Sequence, residues 1–161
     1  MAYPNAPAIV AIVAAIDTKG SPIFVQDRMG RFDTPFKIYK FRTMRHGEHG
    51  TWTVENDPRV TKIGRFLRRS SMDELPQLYN VLKGEMSLVG PRPEQTAYVE
   101  QFKETVPKYM IKHRVRPGLT GWAQVNGLRG DTSIEERIKK DIYYIENWSI
   151  WFDIKILFMT V

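Results

Sequence analysis

The block Gly90-Pro91-Arg92-Pro93 imposes the strongest local constraint in this sequence. Proline fixes φ, lacks a backbone N–H and drives the residue before it out of the helical region. Gly90 and Arg92 both precede a proline, so no helix runs through the block and Arg92 sits on stiff, extended backbone. The short apolar run Met86 to Val89 stops there, and Glu94 to Lys103 beyond it reads as a new helix.

The remaining elements are also short. Ser21 to Phe41 is β-like, PIFVQDRMG and then FKIYKF, which predicts a hairpin joined near Gly30 to Pro35. Arg45 to Asp57 reads as a surface loop. Ser71-Met72-Asp73-Glu74 fits a capping box, with Ser71 as N-cap and Glu74 at the third helical position. Pro76 follows in or just after the first turn, Leu75, Leu78, Tyr79 and Leu82 share a face, and Gly84 closes the helix. RPGLTGWAQVNG, Arg116 to Gly127, reads as a turn-rich loop. A second capping box, Ser133 to Glu136, starts a helix with Ile134, Ile138, Ile142 and Ile145 on one face. The last segment, WSIWFDIKILFMTV, carries only Asp153 and Lys155 as charges. The pattern predicts an α/β chain in the α+β style, helix-rich, with apolar residues at 42%, enough for one packed core.

A formal charge of +6 favours anionic partners and leaves nucleic acid, phospholipid surfaces and small phosphorylated substrates open. The lack of cysteine excludes disulfides and Cys-ligated metals. His46, His49 and His113 are too few and too scattered for a zinc site, and His46 and His49 read as a solvated pair in a loop. No stretch approaches the ~20 apolar residues of a spanning helix. Ala8 to Ile16, AIVAIVAAI, is a buried core element, an interfacial or re-entrant segment, or the remnant of something longer; composition alone favours the core.

Three sets of residues carry candidate chemistry. Asp73-Glu74 follows the basic run Arg59, Lys62, Arg65, Arg68 and Arg69. Paired carboxylates at a helix start commonly just oppose the helix dipole. Here the basic frame would also hold an aspartate ionised, as a carboxylate nucleophile requires. Neighbouring helical side chains diverge by roughly 100°, so one can face phosphorus while the other faces a cation. Mg²⁺ needs only one or two carboxylates beside water and substrate phosphate. Arg42, Arg92 and Arg116 lie in rigid or glycine-bearing segments, although for a lone arginine surface charge is the default; the prolines on both sides of Arg92 fix the direction of its fork, which suits bidentate phosphate recognition. Gly118 and Gly121 permit close backbone approach. Gln124 and Asn126 fit a uracil or sugar edge equally as well as solvated loop amides. Trp148, Trp151 and Phe152 beside Lys155 suit either core packing or a membrane interface. The residues by themselves lead to a phosphate-handling protein with a magnesium-carboxylate candidate.

FKIYKFRTM, DPRVTKIGRFLRRSSMDELPQLYNVLKGEMSLVGPRPE, RPGLTGWAQVNG and DIYYIENWSIWFDIKIL closely resemble the bacterial sugar transferase family, the monotopic polyprenyl-phosphate phosphoglycosyl transferases. The resemblance runs from Pro22 to Ile156. It implies that the aspartate matching Asp73 attacks the sugar-bearing phosphate of a UDP-sugar, that UMP leaves, and that polyprenyl (undecaprenyl) phosphate takes the phosphosugar from the aspartyl intermediate. Glu74 is then the Mg²⁺ ligand, Arg68 a catalytic-site residue and Arg116 a phosphate binder, with Lys40 and Arg92 as further site residues. Such a reaction opens exopolysaccharide, O-antigen, capsule or glycoprotein glycan assembly.

The same resemblance implies a small catalytic domain with interfacial amphipathic helices on the cytoplasmic face of the bacterial inner membrane. It also implies a re-entrant N-terminal helix bent at a proline. Only the second half of that helix is matched, from Pro4 or Pro7 to Ile16, and the usual serine before the proline is absent. The expectation is therefore a remnant of the re-entrant helix over residues 1–18, in a chain truncated at its N-terminus, and a catalytic domain over 19–161. The expected partners are the UDP-sugar donor, the lipid phosphate acceptor and the lipid surface; nucleic acid is not expected, and a homodimer is allowed. Rival readings are a basic nucleic-acid module, which leaves Asp73-Glu74 and the apolar ends without a role, a magnesium-dependent diphosphate hydrolase, and an inactive membrane assembly protein, against which intact Asp73 and Glu74 argue.

Overall fold

The computed structural model describes residues 6–45, 57–130 and 132–160. The expected hairpin forms: β1 (Ile23–Met29) pairs with β2 (Pro35–Phe41) across the Gly30–Thr34 connection, where Arg31–Asp33 makes a short 3-10 turn. The chain divides into two compact units. One holds the residues up to Val25 and Tyr39–Tyr79, and the other holds Gln26–Ile38 and everything from Asn80 onward.

In the first unit, α1 (Ala6–Thr18) presents Ala14 and Thr18 to the interior while Ile12 and Ile16 stay exposed. The helix is thus half-buried and is not a core helix. It spans about 20 Å at 1.5 Å per residue, and no helix among the described residues is long and apolar enough to cross a membrane. Next comes α2 (Lys62–Arg69), capped by Thr61, whose hydroxyl accepts from the Gly64 N–H at 2.9 Å. A methyl group at Gly64 would run into the Thr43 carbonyl and the Thr61 hydroxyl. Glycine is therefore what lets α2 lie directly on the end of the hairpin. A 3-10 turn at Met72–Glu74 leads on to α3 (Gln77–Leu82).

The capping box expected at Ser71 does not form. Ser71 adopts φ 55°, its side chain makes no cap hydrogen bond, and the Glu74 N–H bonds to the Ser71 backbone carbonyl instead. Ser71 is the left-handed residue that ends α2, with its N–H on the Arg68 carbonyl. A serine before an acid three residues on can serve either end of a helix; the basic C-terminal turn of α2, with Arg68 and Arg69, decides for termination here. Gly84 does close α3, at φ +77°. Leu75, Leu78, Tyr79 and Leu82, placed on one helical face by their spacing, are all exposed.

In the second unit, β3 (Ser87–Val89) runs parallel to β4 (Gly118–Thr120), with Ser87 opposite Gly118 and Val89 opposite Thr120. The segment Arg116 to Gly127 is thus not loop throughout, since it holds β4 and the short helix α5 (Trp122–Val125). A three-residue strand has no periodicity to read, and its partner lies about thirty residues away in sequence. The helix expected from Glu94 begins later, as α4 (Thr96–Thr105). Glu94 is held back because its carbonyl accepts from the Met29 N–H and its carboxylate is drawn into a buried charge cluster. At α6 (Ile134–Glu146) the Ser133 hydroxyl caps the helix as expected, accepting from the Glu136 N–H, while the Glu136 carboxylate takes Lys139 Nζ at 2.6 Å. Ile134, Ile138 and Ile142 pack with Val99, Val106 and Tyr109, while Ile145 joins Val89, Tyr144 and Ile156. The last helix, α7 (Ile150–Thr160), buries Ile156 and leaves Trp151 and Phe158 in the open, at 76% and 80% exposure. His46 and His49 lie outside the described residues.

Candidate active site

Asp73 owes its position to how α2 ends. The left-handed Ser71 reverses the chain, so the 3-10 turn Met72–Glu74 folds back on the last turn of α2. Asp73 is buried, at 8% exposure, although it is a carboxylate in a polar turn. A charge that deep needs compensation. Arg68 supplies it: burial pulls this guanidinium below its ordinary value, and the negative charges of Asp73, Asp57 and Glu74 push back against that. Arg68 is itself aimed, because its Nε donates to the Thr43 hydroxyl at 2.9 Å. Asp57 is nearly inaccessible and grips Arg59, with Arg59 Nη2 at 2.6 Å from its Oδ2, which holds its carboxyl at about 2.

Glu74 has a different partner. Its Oε1 receives Lys40 Nζ at 2.8 Å. Lys40 comes from β2, thirty-four residues earlier. Tyr39, its neighbour on the strand, meets Tyr79 edge-on at 5.6 Å between ring centres, which ties β2 to α3. The first unit therefore brings together four of the expected site residues: Lys40, Arg68, Asp73 and Glu74. Arg42 belongs to the same unit, but its Nε donates to the Ser21 carbonyl at 2.7 Å and its N–H to Pro22 at 2.8 Å. It latches the strand end to the preceding chain.

The other expected residues lie in the second unit. The loops bearing Arg92 and Arg116 are bound to each other through backbone. Ser87 N–H donates to Pro117 O (2.8 Å), Gly90 N–H to Thr120 O (2.9 Å) and Gly118 N–H to Pro91 O (2.8 Å). Methyl groups at Gly90, Gly118 or Gly121 would each strike the backbone of the facing loop. The glycines in these motifs thus make room for protein backbone. Arg92 is half-buried and Arg116 exposed. Gln124 is buried: its Nε2 donates to the Leu119 carbonyl and its Oε1 has no hydrogen-bond partner among the described residues. Asn126 is exposed, with its Nδ2 on the Trp122 carbonyl at 2.7 Å. Thr43 and Asp57 were missing from the sequence reading of the site; the only trace of either is its place in the motifs KFRTM and DPRVTKIG.

The description bacterial sugar transferase fits residues 2–161. The chain belongs to this family. Among curated relatives, it is 50% identical to the UDP-glucose:undecaprenyl-phosphate glucose-1-phosphate transferase of Escherichia coli K12, over 94% of this chain and 34% of that protein. It is 48% identical to the protein of the same description from Klebsiella pneumoniae, over 96% of this chain and 35% of the relative. A UDP-N-acetylgalactosamine-undecaprenyl-phosphate N-acetylgalactosaminephosphotransferase from Aeromonas hydrophila is 45% identical, over 94% of this chain and 37% of the relative. The chain thus spans about a third of the length of these sugar transferases.

Proposed function

We propose that this chain is the catalytic part of a transferase that moves a sugar 1-phosphate from a UDP-sugar to undecaprenyl phosphate. The observation that carries the reading is the buried Asp73 beside Arg68, directly followed by Glu74 on Lys40. The descriptions of the relatives supply the donor and acceptor classes. A carboxylate oxygen of Asp73 attacks the sugar-bearing phosphorus, the bond to the bridging oxygen breaks, and that oxygen leaves on UMP. An oxygen of the lipid phosphate then attacks the phosphosugar on Asp73. The aspartyl–phosphorus bond breaks, Asp73 regains its charge, and the lipid diphosphate sugar departs. Splitting the transfer in this way lets a soluble donor and a lipid acceptor use one nucleophile in turn.

A carboxylate is a weak nucleophile toward an anionic phosphate, so cationic groups must neutralise the phosphoryl charge. Arg68 and Lys40 do this in the first unit, and Arg92 and Arg116 are proposed to take donor phosphate oxygens. Glu74, with Asp73 adjacent, offers the hard carboxylate oxygens that suit Mg²⁺, and a bound Mg²⁺ would neutralise the diphosphate. No group of three or more potential metal-binding side chains occurs among the described residues. That donor set fits an ion which completes its shell with water and phosphate. The exposed Trp151 and Phe158 on α7, and separately Ile12 and Ile16 on α1, support contact of each unit with a lipid surface; that surface is proposed to be the cytoplasmic face of the inner membrane.

The test is a donor-only reaction. With UDP-glucose or UDP-N-acetylgalactosamine and no lipid, the full-length protein should release about one equivalent of UMP and stop. Its mass should rise by one phosphosugar on the peptide containing Asp73, and Asp73→Asn should do neither. Continuous release of free sugar phosphate would identify a hydrolase. Product formation by Asp73→Asn would mean direct transfer between substrates.

A further inference from the structure

Four charged side chains are buried together in the second unit. Glu94, Lys112, Arg137 and Asp141 are each at most 4% exposed. Glu94 Oε1 receives Lys112 Nζ at 3.2 Å and Arg137 Nη1 at 3.0 Å, and Lys112 Nζ lies 3.5 Å from Asp141 Oδ2. Burying four charges is a costly way to hold a core together, since apolar residues of similar volume do it as well. What such a cluster adds is directional, charge-assisted bonds between fixed points of the chain.

Those points have a pattern. Glu94 is two residues after Arg92, and Lys112 is four residues before Arg116. The Glu94–Lys112 bond therefore joins the two arginine loops on one side, while the β3–β4 backbone bonds join them on the other. The residues around Arg92 are individually held. Gly90 N–H and Pro91 O bond to the facing loop, Pro93 O accepts from Arg28 Nη1 at 3.2 Å, and Glu94 O accepts from the Met29 N–H at 2.9 Å. Arg137 extends the clamp, since its Nη2 donates to the Gly130 carbonyl at 2.8 Å.

We propose that the buried Glu94–Lys112 pair, braced by Arg137, sets the spacing and direction of Arg92 and Arg116, so that Glu94 is a positioning residue for phosphate binding. This rests on the reading, given above, that Arg92 and Arg116 meet the donor phosphates. Glu94 touches no substrate itself; it acts through the backbone that carries Arg92. Phosphate recognition by a guanidinium fork depends on angle as well as charge. A displacement of about 1 Å in such a group costs up to ~100-fold in turnover efficiency.

The experiment is a double-mutant cycle on the full-length protein, with UDP-glucose as donor and undecaprenyl phosphate at saturation. Arg92→Ala, Glu94→Gln and the double variant are compared for KM, kcat and Tm. Because Glu94→Gln leaves two buried cations short of a partner, Arg28→Ala is run in parallel; it loosens Pro93 and removes no member of the buried cluster. Glu94→Gln and Arg28→Ala should each raise donor KM about tenfold or more in the parent and leave it nearly unchanged in the Arg92→Ala background, while their effects on Tm persist in both. Full additivity of the KM effects would overturn the proposal and leave Arg92 as a phosphate binder intact. An Arg92→Ala variant with unaltered kinetics would instead remove the reading on which the proposal stands.

Discussion

Lys40 Nζ lies 2.8 Å from Glu74 Oε1, with the two side chains only 15% and 16% exposed. The carboxylate proposed to hold Mg²⁺ is therefore engaged by an ammonium group. Metal and lysine compete for the same oxygen, and a metal at Glu74 would free Lys40 to meet a donor phosphate.

Lys40→Met should accordingly lower the Mg²⁺ concentration needed for half-maximal activity severalfold, and lower the maximal rate by at least about tenfold. Glu74→Gln should lose Mg²⁺ activation altogether, and EDTA should silence the parent until Mg²⁺ is restored. A Mg²⁺ titration of the three proteins measures this; weaker activation in Lys40→Met would contradict the exchange.

Gly118→Ala should destabilise the second unit. Its new methyl group would collide with the backbone of Gly90 and Thr120, and overpacking of this kind costs about 1–3 kcal/mol. For a chain of this size that is a fall of roughly 2–10 °C in Tm. An unchanged melting temperature would show that the two loops can move apart freely.

Burial raises the Asp141 carboxyl to about 6 from an ordinary 3.8. The folded state then binds this proton more tightly than the unfolded chain does. As pH rises from 3.8 to about 6 the unfolded chain has released the proton while the folded one retains it, so stability falls through that window and is level above it. Asp141→Asn does not titrate. Its Tm should match the parent near pH 4 and exceed it by several degrees at pH 7, as expected for a contribution of about 3 kcal/mol. A difference that stays flat with pH in thermal melts would remove Asp141 as the cause.

Trp151 lies five residues before the buried Ile156 on α7 and Phe158 two residues after it, and both are largely exposed. Trp151→Ser with Phe158→Ser should leave Tm within a degree or two and reduce binding to vesicles of anionic phospholipid more than tenfold, since each large apolar side chain adds about 1.5–3 kcal/mol when buried in lipid. Sedimentation with vesicles reads this directly; unchanged binding would place the lipid contact elsewhere.

Much of the fold was written in local sequence. The hairpin follows from β-rich runs around Gly30, α6 from Ser133 and its isoleucine spacing, and the end of α3 from Gly84. The pairing of Asp73 with a basic neighbour was also readable, because Arg68 is five residues away along the chain. The resemblance in the motifs carried the site residues further than periodicity alone allows.

Other features depended on contacts between distant residues. Whether Ser71 starts one helix or ends another is a competition between neighbours: the basic last turn of α2 favours the end, and Gly64 and Arg68 hold that helix against Thr43. The partnership of Lys40 with Glu74 needs β2 beside the turn after α2. The parallel β3–β4 pair and the buried Glu94–Lys112–Arg137–Asp141 cluster have no local signature, since an isolated Glu or Lys normally stays in water. The sequence by itself determined which side chains are available, that the chain turns at Gly30 and at Gly90–Pro93, and that the segment after Ser133 is helical. Only the tertiary structure decided which charges leave water together, because the cost of burying each one is offset only by partners brought in from elsewhere in the chain.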